Sequence, residues 1–287
     1  MRRPNLQVRR LWRGDKGRLP TQLELPPLVY DGAGNPFAVS EARDELCLCN
    51  QSHLLLWKQI SGRAQFHGAF PLSSKESSQY LGWGITSAPW GWIVLANEGD
   101  TLWRLSIDSR LQVQDRVSLS GFLRDYNVAP PLRVRLHKQD VYFADKETLV
   151  ICDLRGDFKM SRACPYGFTL TDATLVLPSS EDELPTGIRS AELIASLPNR
   201  ELRFWLSERY VKRANPPYLQ TELVVSQGAK IEKQCWLNGD AGVIHELRVP
   251  SQIEWVEFSP SGSVYVLGWK YAGLKGSVGL WRLSGCF

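Results

Sequence analysis

Cys47 and Cys49, two positions apart with His53 four residues further on, have the side-chain types and spacing most suggestive of metal chemistry. Two thiolates and an imidazole can hold zinc and leave its fourth position open. The pair lies inside the apolar run Leu46-Cys47-Leu48-Cys49, however, where alternate positions share one face and small thiols serve as packing. Packing is the reading adopted, so neither metal nor other cofactor is expected.

The other chemistry-bearing residues are dispersed. His53, His67, His137 and His245 each stand alone, and no Gly-x-Ser-x-Gly, His-Glu-x-x-His or Gly-Lys-Ser/Thr stretch occurs. Asp100, Asp145 and Asp240 occupy polar turns, where carboxylates bond nearby backbone N–H groups without any catalytic duty. Asp44-Glu45 and Glu181-Asp182-Glu183 read as solvated loops. No catalytic residue is expected, and a hydrolase ranks behind the binding functions considered below.

Two features point to binding. Residues 1–18 carry Arg2, Arg3, Arg9, Arg10, Arg13, Lys16 and Arg18 against Asp15 alone. The whole chain has a net charge of +4, so everything beyond this arm is slightly acidic. Such an arm can neutralise nucleic-acid phosphates while Trp12 stacks on a base, or meet an acidic protein surface. Equally, outward arginines protect an edge strand whose Leu6, Val8 and Trp12 pack inward. The second feature is Trp83, Trp90 and Trp92, set among Gly82, Gly84 and Gly91; aromatic side chains beside flexible backbone can form a recognition patch, although packing between blades is the reading favoured for them.

These residues need elements to hold them. Hydrophobic residues at 43% and charged residues at 22% describe a globular chain, and 287 residues bury enough surface to fold without disulfides. The six cysteines are scattered, no apolar signal segment opens the chain, and no stretch is long enough to cross a membrane as a helix. A reducing, cytoplasmic setting is therefore expected, with no membrane partner.

Period-two alternation dominates. Five strand–turn–strand units recur: 46–57, 92–105, 141–151, 193–205 and 264–283. Their bulky apolar markers are Trp57, Trp103, Val150, Phe204 and Trp281. The first three steps between markers span 46, 47 and 54 residues; the last spans 77. The shorter steps match one four-stranded propeller blade. The long step leaves room for an extra blade from the strand-like pieces 218–227 and 231–237.

The fifth unit carries a family signature. Ile253 to Gly262, with Ser259-Pro260-Ser261-Gly262 as a turn, then Val264 to Gly268 and Gly279-Leu280-Trp281-Arg282-Leu283, resembles a WD40-type repeat. Ala88-Pro89-Trp90-Gly91 is the nearest echo elsewhere, and the Gly-His and Trp-Asp dipeptides of that family do not occur. The resemblance implies an all-β chain: one divergent β-propeller domain over 1–287, with five to seven four-stranded antiparallel blades. Leu6 to Trp12 is expected to supply the outer strand of the last blade. A non-catalytic scaffold within a multiprotein complex follows as the leading function, with nucleic-acid binding through the arm as the alternative.

Overall fold

A computed structural model describes residues 9–10, 21–23, 35–50, 52–72, 81–119, 128–171, 174–197, 201–211, 218–237, 252–259, 263–272 and 275–283. Among them the chain is strand and turn, with two short 3-10 turns at Glu41–Arg43 and Glu181–Glu183 and no α-helix. No helix among the described residues is long and apolar enough to cross a membrane. Two compact units form, one from residues 26–167 and the other from 1–25 with 168–287.

Two N-terminal strands, β1 (Arg9–Arg10) and β2 (Thr21–Leu23), belong to the second of these units. Three blades make up the 26–167 unit. The first is β3 (Phe37–Ser40), β4 (Glu45–Asn50), β5 (His53–Lys58) and β6 (Gln65–Pro71). The second is β7 (Leu81–Ala88), β8 (Gly91–Glu98), β9 (Thr101–Asp108) and β10 (Val113–Ser118). The third is β11 (Arg133–His137), β12 (Asp140–Ala144), β13 (Thr148–Asp153) and β14 (Phe158–Ala163). Each is an antiparallel meander in chain order.

Continuous apolar runs form the middle strands because both faces are buried. In β8, Trp92, Val94 and Ala96 face a core shared with Cys47, Cys49, Leu54 and Leu56 of the first blade. The alternating Ile93 and Leu95 face Val134, Val141, Phe143 and Val150 of the third. Outer strands are polar instead: β10 and β14 are exposed along most of their length.

In the other unit a small hairpin, β15 (Thr169–Leu170) with β16 (Leu175–Val176), precedes the fourth blade. That blade is β17 (Ala191–Leu197), β18 (Leu202–Val211), β19 (Tyr218–Gln227) and β20 (Lys230–Trp236), extended by β1. The fifth is β21 (Gln252–Phe258), β22 (Val264–Ala272) and β23 (Lys275–Leu283), completed by β2. Phe204, Leu223 and Val225 pack with Val256, Val266 and Trp281 between them.

Two expectations are corrected. Pieces 218–227 and 231–237 are the third and fourth strands of the fourth blade, not a further one. Phe204 lies on that blade's second strand and pairs with Val225 on its third, so the true counterpart of Trp57 or Trp281 is Val225. The central hairpin there runs ten residues a side, which stretches the repeat. The other correction concerns the last blade, whose outer strand is Thr21–Leu23, with Gln22 opposite Trp281. Of 6–12, only Arg9 and Arg10 are described, and they pair in parallel with Cys235 and Trp236 of β20. Alternation in Leu6 to Trp12 suggests a strand but does not say which edge that strand covers.

A register shift recurs where each outer strand leaves its turn. It falls at His67, Gln114, Lys159 and Glu232 in the first four blades, each an extra polar residue opposite the third strand. Such bulges bend the strand and raise its twist.

Candidate functional site

The three tryptophans fall in three environments. Trp83 is the extra residue of a bulge in β7; its carbonyl accepts the Leu132 N–H at 2.7 Å, and its ring packs partly buried on the core between the second and third blades. Trp92 is fully buried in the core between the first and second. Trp90 alone is open, 40% exposed on the two-residue turn Pro89–Trp90 that joins β7 to β8. The candidate three-tryptophan patch is thus reduced to one indole, since Trp83 and Trp92 pack in the two cores on either side of the second blade.

Arg43 holds that turn from the neighbouring blade. Its two terminal nitrogens donate to the carbonyl oxygens of Ala88 at 2.6 Å and Gly91 at 2.7 Å, which flank Trp90. Its Nε donates to the Glu45 carboxylate at 3.0 Å, and Lys58 lies 3.7 Å from the other oxygen of that carboxylate. The guanidinium also lies 4.6 Å from the centroid of Trp92. Charge-assisted bonds to two backbone carbonyls fix the turn in one conformation. Gly91 is required there: a Cβ would sit 2.1 Å from the Ile107 oxygen. Nothing in the sequence flagged Arg43, since its partners lie 45 and 48 positions away.

Cys47 and Cys49 are wholly buried, and His53 Nδ1 is within 3.0 Å of the Ser52 hydroxyl. Burial raises the Cys47 thiol well above its ordinary range, with the neighbouring Cys49 and Glu45 adding to the effect, and it pushes Cys49 up to about 12. Thiols so disfavoured as thiolates are packing groups. No group of three or more possible metal ligands occurs among the described residues.

A cleft of about 520 Å³ lies over the fourth blade, where the 3-10 turn at Glu181–Glu183 covers the ends of its hairpins. Glu183 accepts the Ser179 N–H and hydroxyl at 3.2 and 2.9 Å and pairs with Arg203 at 3.7 Å; Asp182, Ser196 and Glu201 also line it. The acidic run expected as a free loop is therefore partly tied down. Arg2, Arg3 and Arg13 lie outside the described residues, as do Trp12, Asp240 and His245; for Arg9 and Arg10 only the strand pairing is described.

No protein-family model matches the chain, and no curated protein matches it. Solved structures do. A chain of a mitotic checkpoint complex crystal structure aligns at 12% identity over 91% of this chain and 90% of its own, with a TM-score of 0.50. An exo-1,5-α-L-arabinanase from a bovine ruminal metagenomic library aligns at 8% identity over 90% and 95%, with a TM-score of 0.48. The Neurospora crassa Pan2 WD40 domain aligns at 9% identity over 88% and 63%, with a TM-score of 0.30. At such identities the likeness speaks for fold alone. Together with the five four-stranded antiparallel blades, it makes the fold a β-propeller, the architecture that the resemblance to a WD40-type repeat implies.

Proposed function

We propose that this chain is a non-catalytic protein-interaction scaffold, working as a subunit of a multiprotein assembly. The observation that carries the reading is Trp90, an exposed indole on a turn immobilised by Arg43. A large aromatic group held rigid before contact loses little entropy on binding, which is what makes such residues anchors of protein interfaces. The buried Cys47 and Cys49 thiols are disfavoured as thiolates. Four described cysteines, Cys47, Cys49, Cys152 and Cys164, are buried and in no disulfide, which suits a reducing cytoplasmic setting.

The test is purification of the tagged native chain alongside Trp90→Ala, with bound proteins identified by mass spectrometry. A stoichiometric partner that is held by the native chain and lost from Trp90→Ala supports the scaffold role. A partner held equally by both, or none at all, overturns it.

A further inference from the structure

The chemistry of the partner can be read from the turns around Trp90, on the basis of the scaffold role above. Gly91 pairs with Asp108, so Trp90 and the turn Asp108–Gln112 share one end of the second blade. Within that turn one Asp108 oxygen accepts the N–H groups of Arg110 and Gln112, both at 2.9 Å, and its other oxygen accepts from Gln114 Nε2 at 2.8 Å. The carboxylate is thus occupied by its own turn, and Arg110 projects exposed beyond it.

The third blade repeats the arrangement. Asp153 accepts the N–H groups of Arg155 at 2.8 Å and Asp157 at 3.0 Å, and these bonds, that of Asp157 foremost, hold its carboxyl below the ordinary range. Leu111 and Gly156 follow the two arginines, both with left-handed backbone (φ 62° and 87°). Arg110 and Arg155 are therefore equivalent residues of adjacent blades. Lys138 joins them, because the Leu154 N–H donates to the Gln139 carbonyl at 2.9 Å and brings the β11–β12 turn against the Arg155 turn. All three cations are exposed, and no hydrogen bond or salt bridge links their side chains to other described residues. The nearby Asp140 is taken by Lys159 at 2.5 Å.

We propose that this edge of the second and third blades docks an acidic protein segment, its carboxylates meeting Arg110, Lys138 and Arg155 and an apolar side chain packing on Trp90. The turn aspartates accept the N–H groups of their own turns, whereas the guanidinium donors of Arg110 and Arg155 bond no described residue and can reach a partner's carboxylates. A nucleic acid fits less well. Glu41 and Asp157 are exposed on turns of the same end, so the surface is mixed in sign: a segment with spaced carboxylates can set them at the three cations, whereas a continuous phosphate backbone cannot avoid the acids.

The probe is a short fluorescein-labelled peptide of glutamates with leucine at every third position, titrated by anisotropy at low and high salt. The comparison probes are its lysine counterpart and an oligo-dT strand. The full chain should bind the acidic peptide, with affinity falling about tenfold in R110A/K138A/R155A, in R110Q/R155Q by a smaller factor, and in W90A. Melting midpoints should stay unchanged in all three, separating lost contact from lost fold. An absent signal, equal binding by the triple variant, or tighter binding of the lysine peptide or oligo-dT would overturn the proposal. If W90A sheds the co-purifying protein while the triple variant keeps it, the scaffold role stands and the acidic partner falls.

Discussion

The guanidinium of Arg43 lies 4.6 Å from the ring centroid of Trp92 while bonding the carbonyls of Ala88 and Gly91. One side chain of the first blade thus covers the buried indole of the second and fixes the turn that exposes Trp90. Arg43→Ala is expected to destabilise the fold by about 1–3 kcal/mol, since two carbonyls and the Glu45 carboxylate lose a charged donor at once. Lysine should not rescue it, lacking the planar fork that reaches both carbonyls. Chemical denaturation read by tryptophan fluorescence checks both.

The indoles at 90 and 92 should behave oppositely. Trp92→Ala empties a fully buried site and is expected to cost about 3–5 kcal/mol. Trp90→Ala should stay within roughly 0.5 kcal/mol of the native chain, as exposed substitutions do. A large loss in Trp90→Ala would place that indole in the fold and remove it from the interface.

Gly84 lets two blades approach. A Cβ there would meet Val134 Cγ2 at 2.4 Å and the Leu132 oxygen at 2.7 Å, neither able to yield without moving β11. Gly84→Ala is expected to destabilise by about 1–3 kcal/mol. By contrast, Gly99 has nothing within 4 Å but a φ of 59°, so Gly99→Ala should cost no more than backbone strain, about 1 kcal/mol. Thermal melts of the pair separate crowding from strain.

Truncation distinguishes the two N-terminal strands. Among the described residues, removing 1–14 takes away β1, whereas removing 1–24 also strips β2 from Leu280, Trp281 and Arg282. The longer deletion is expected to lower the melting midpoint by roughly 5–10 °C more than the shorter. Equal midpoints would show that β2 contributes nothing.

Thiol reactivity reports on the core. Burial pushes Cys49 and Cys152 up to about 12 and raises Cys47 as well, so the thiolate is scarce at any pH below that. Iodoacetamide at pH 8 should leave these three unmodified in the native chain and modify them in guanidinium. Site-resolved mass spectrometry supplies the readout; native-state labelling of Cys47 or Cys49 would mean that the first blade opens.

The middle strands of the blades were legible because runs such as Trp92 to Ala96 are apolar on both faces, and burial alone dictates that pattern. Turn residues were legible too, as Asp145 shows by accepting the N–H groups of Glu147 and Thr148. The fourth blade misled because Phe204 and Val225 are both bulky strand residues, and only pairing tells which one belongs to the third strand. Arg43 escaped notice since an arginine in a polar turn looks solvated until its distant carbonyls are known. The equivalence of Arg110 and Arg155 rests on backbone bonds to Asp108 and Asp153, which residue types suggest only in retrospect.

The extra residue in the fourth strand of the first four blades, at His67, Gln114, Lys159 and Glu232, has an effect beyond the blade that contains it. A kinked rim offers a visiting chain no straight run of free amides, so edge-to-edge stacking of one molecule on another is frustrated. Fibril growth is thereby denied its template, and concentrated solutions of this strand-rich chain should stay dispersed.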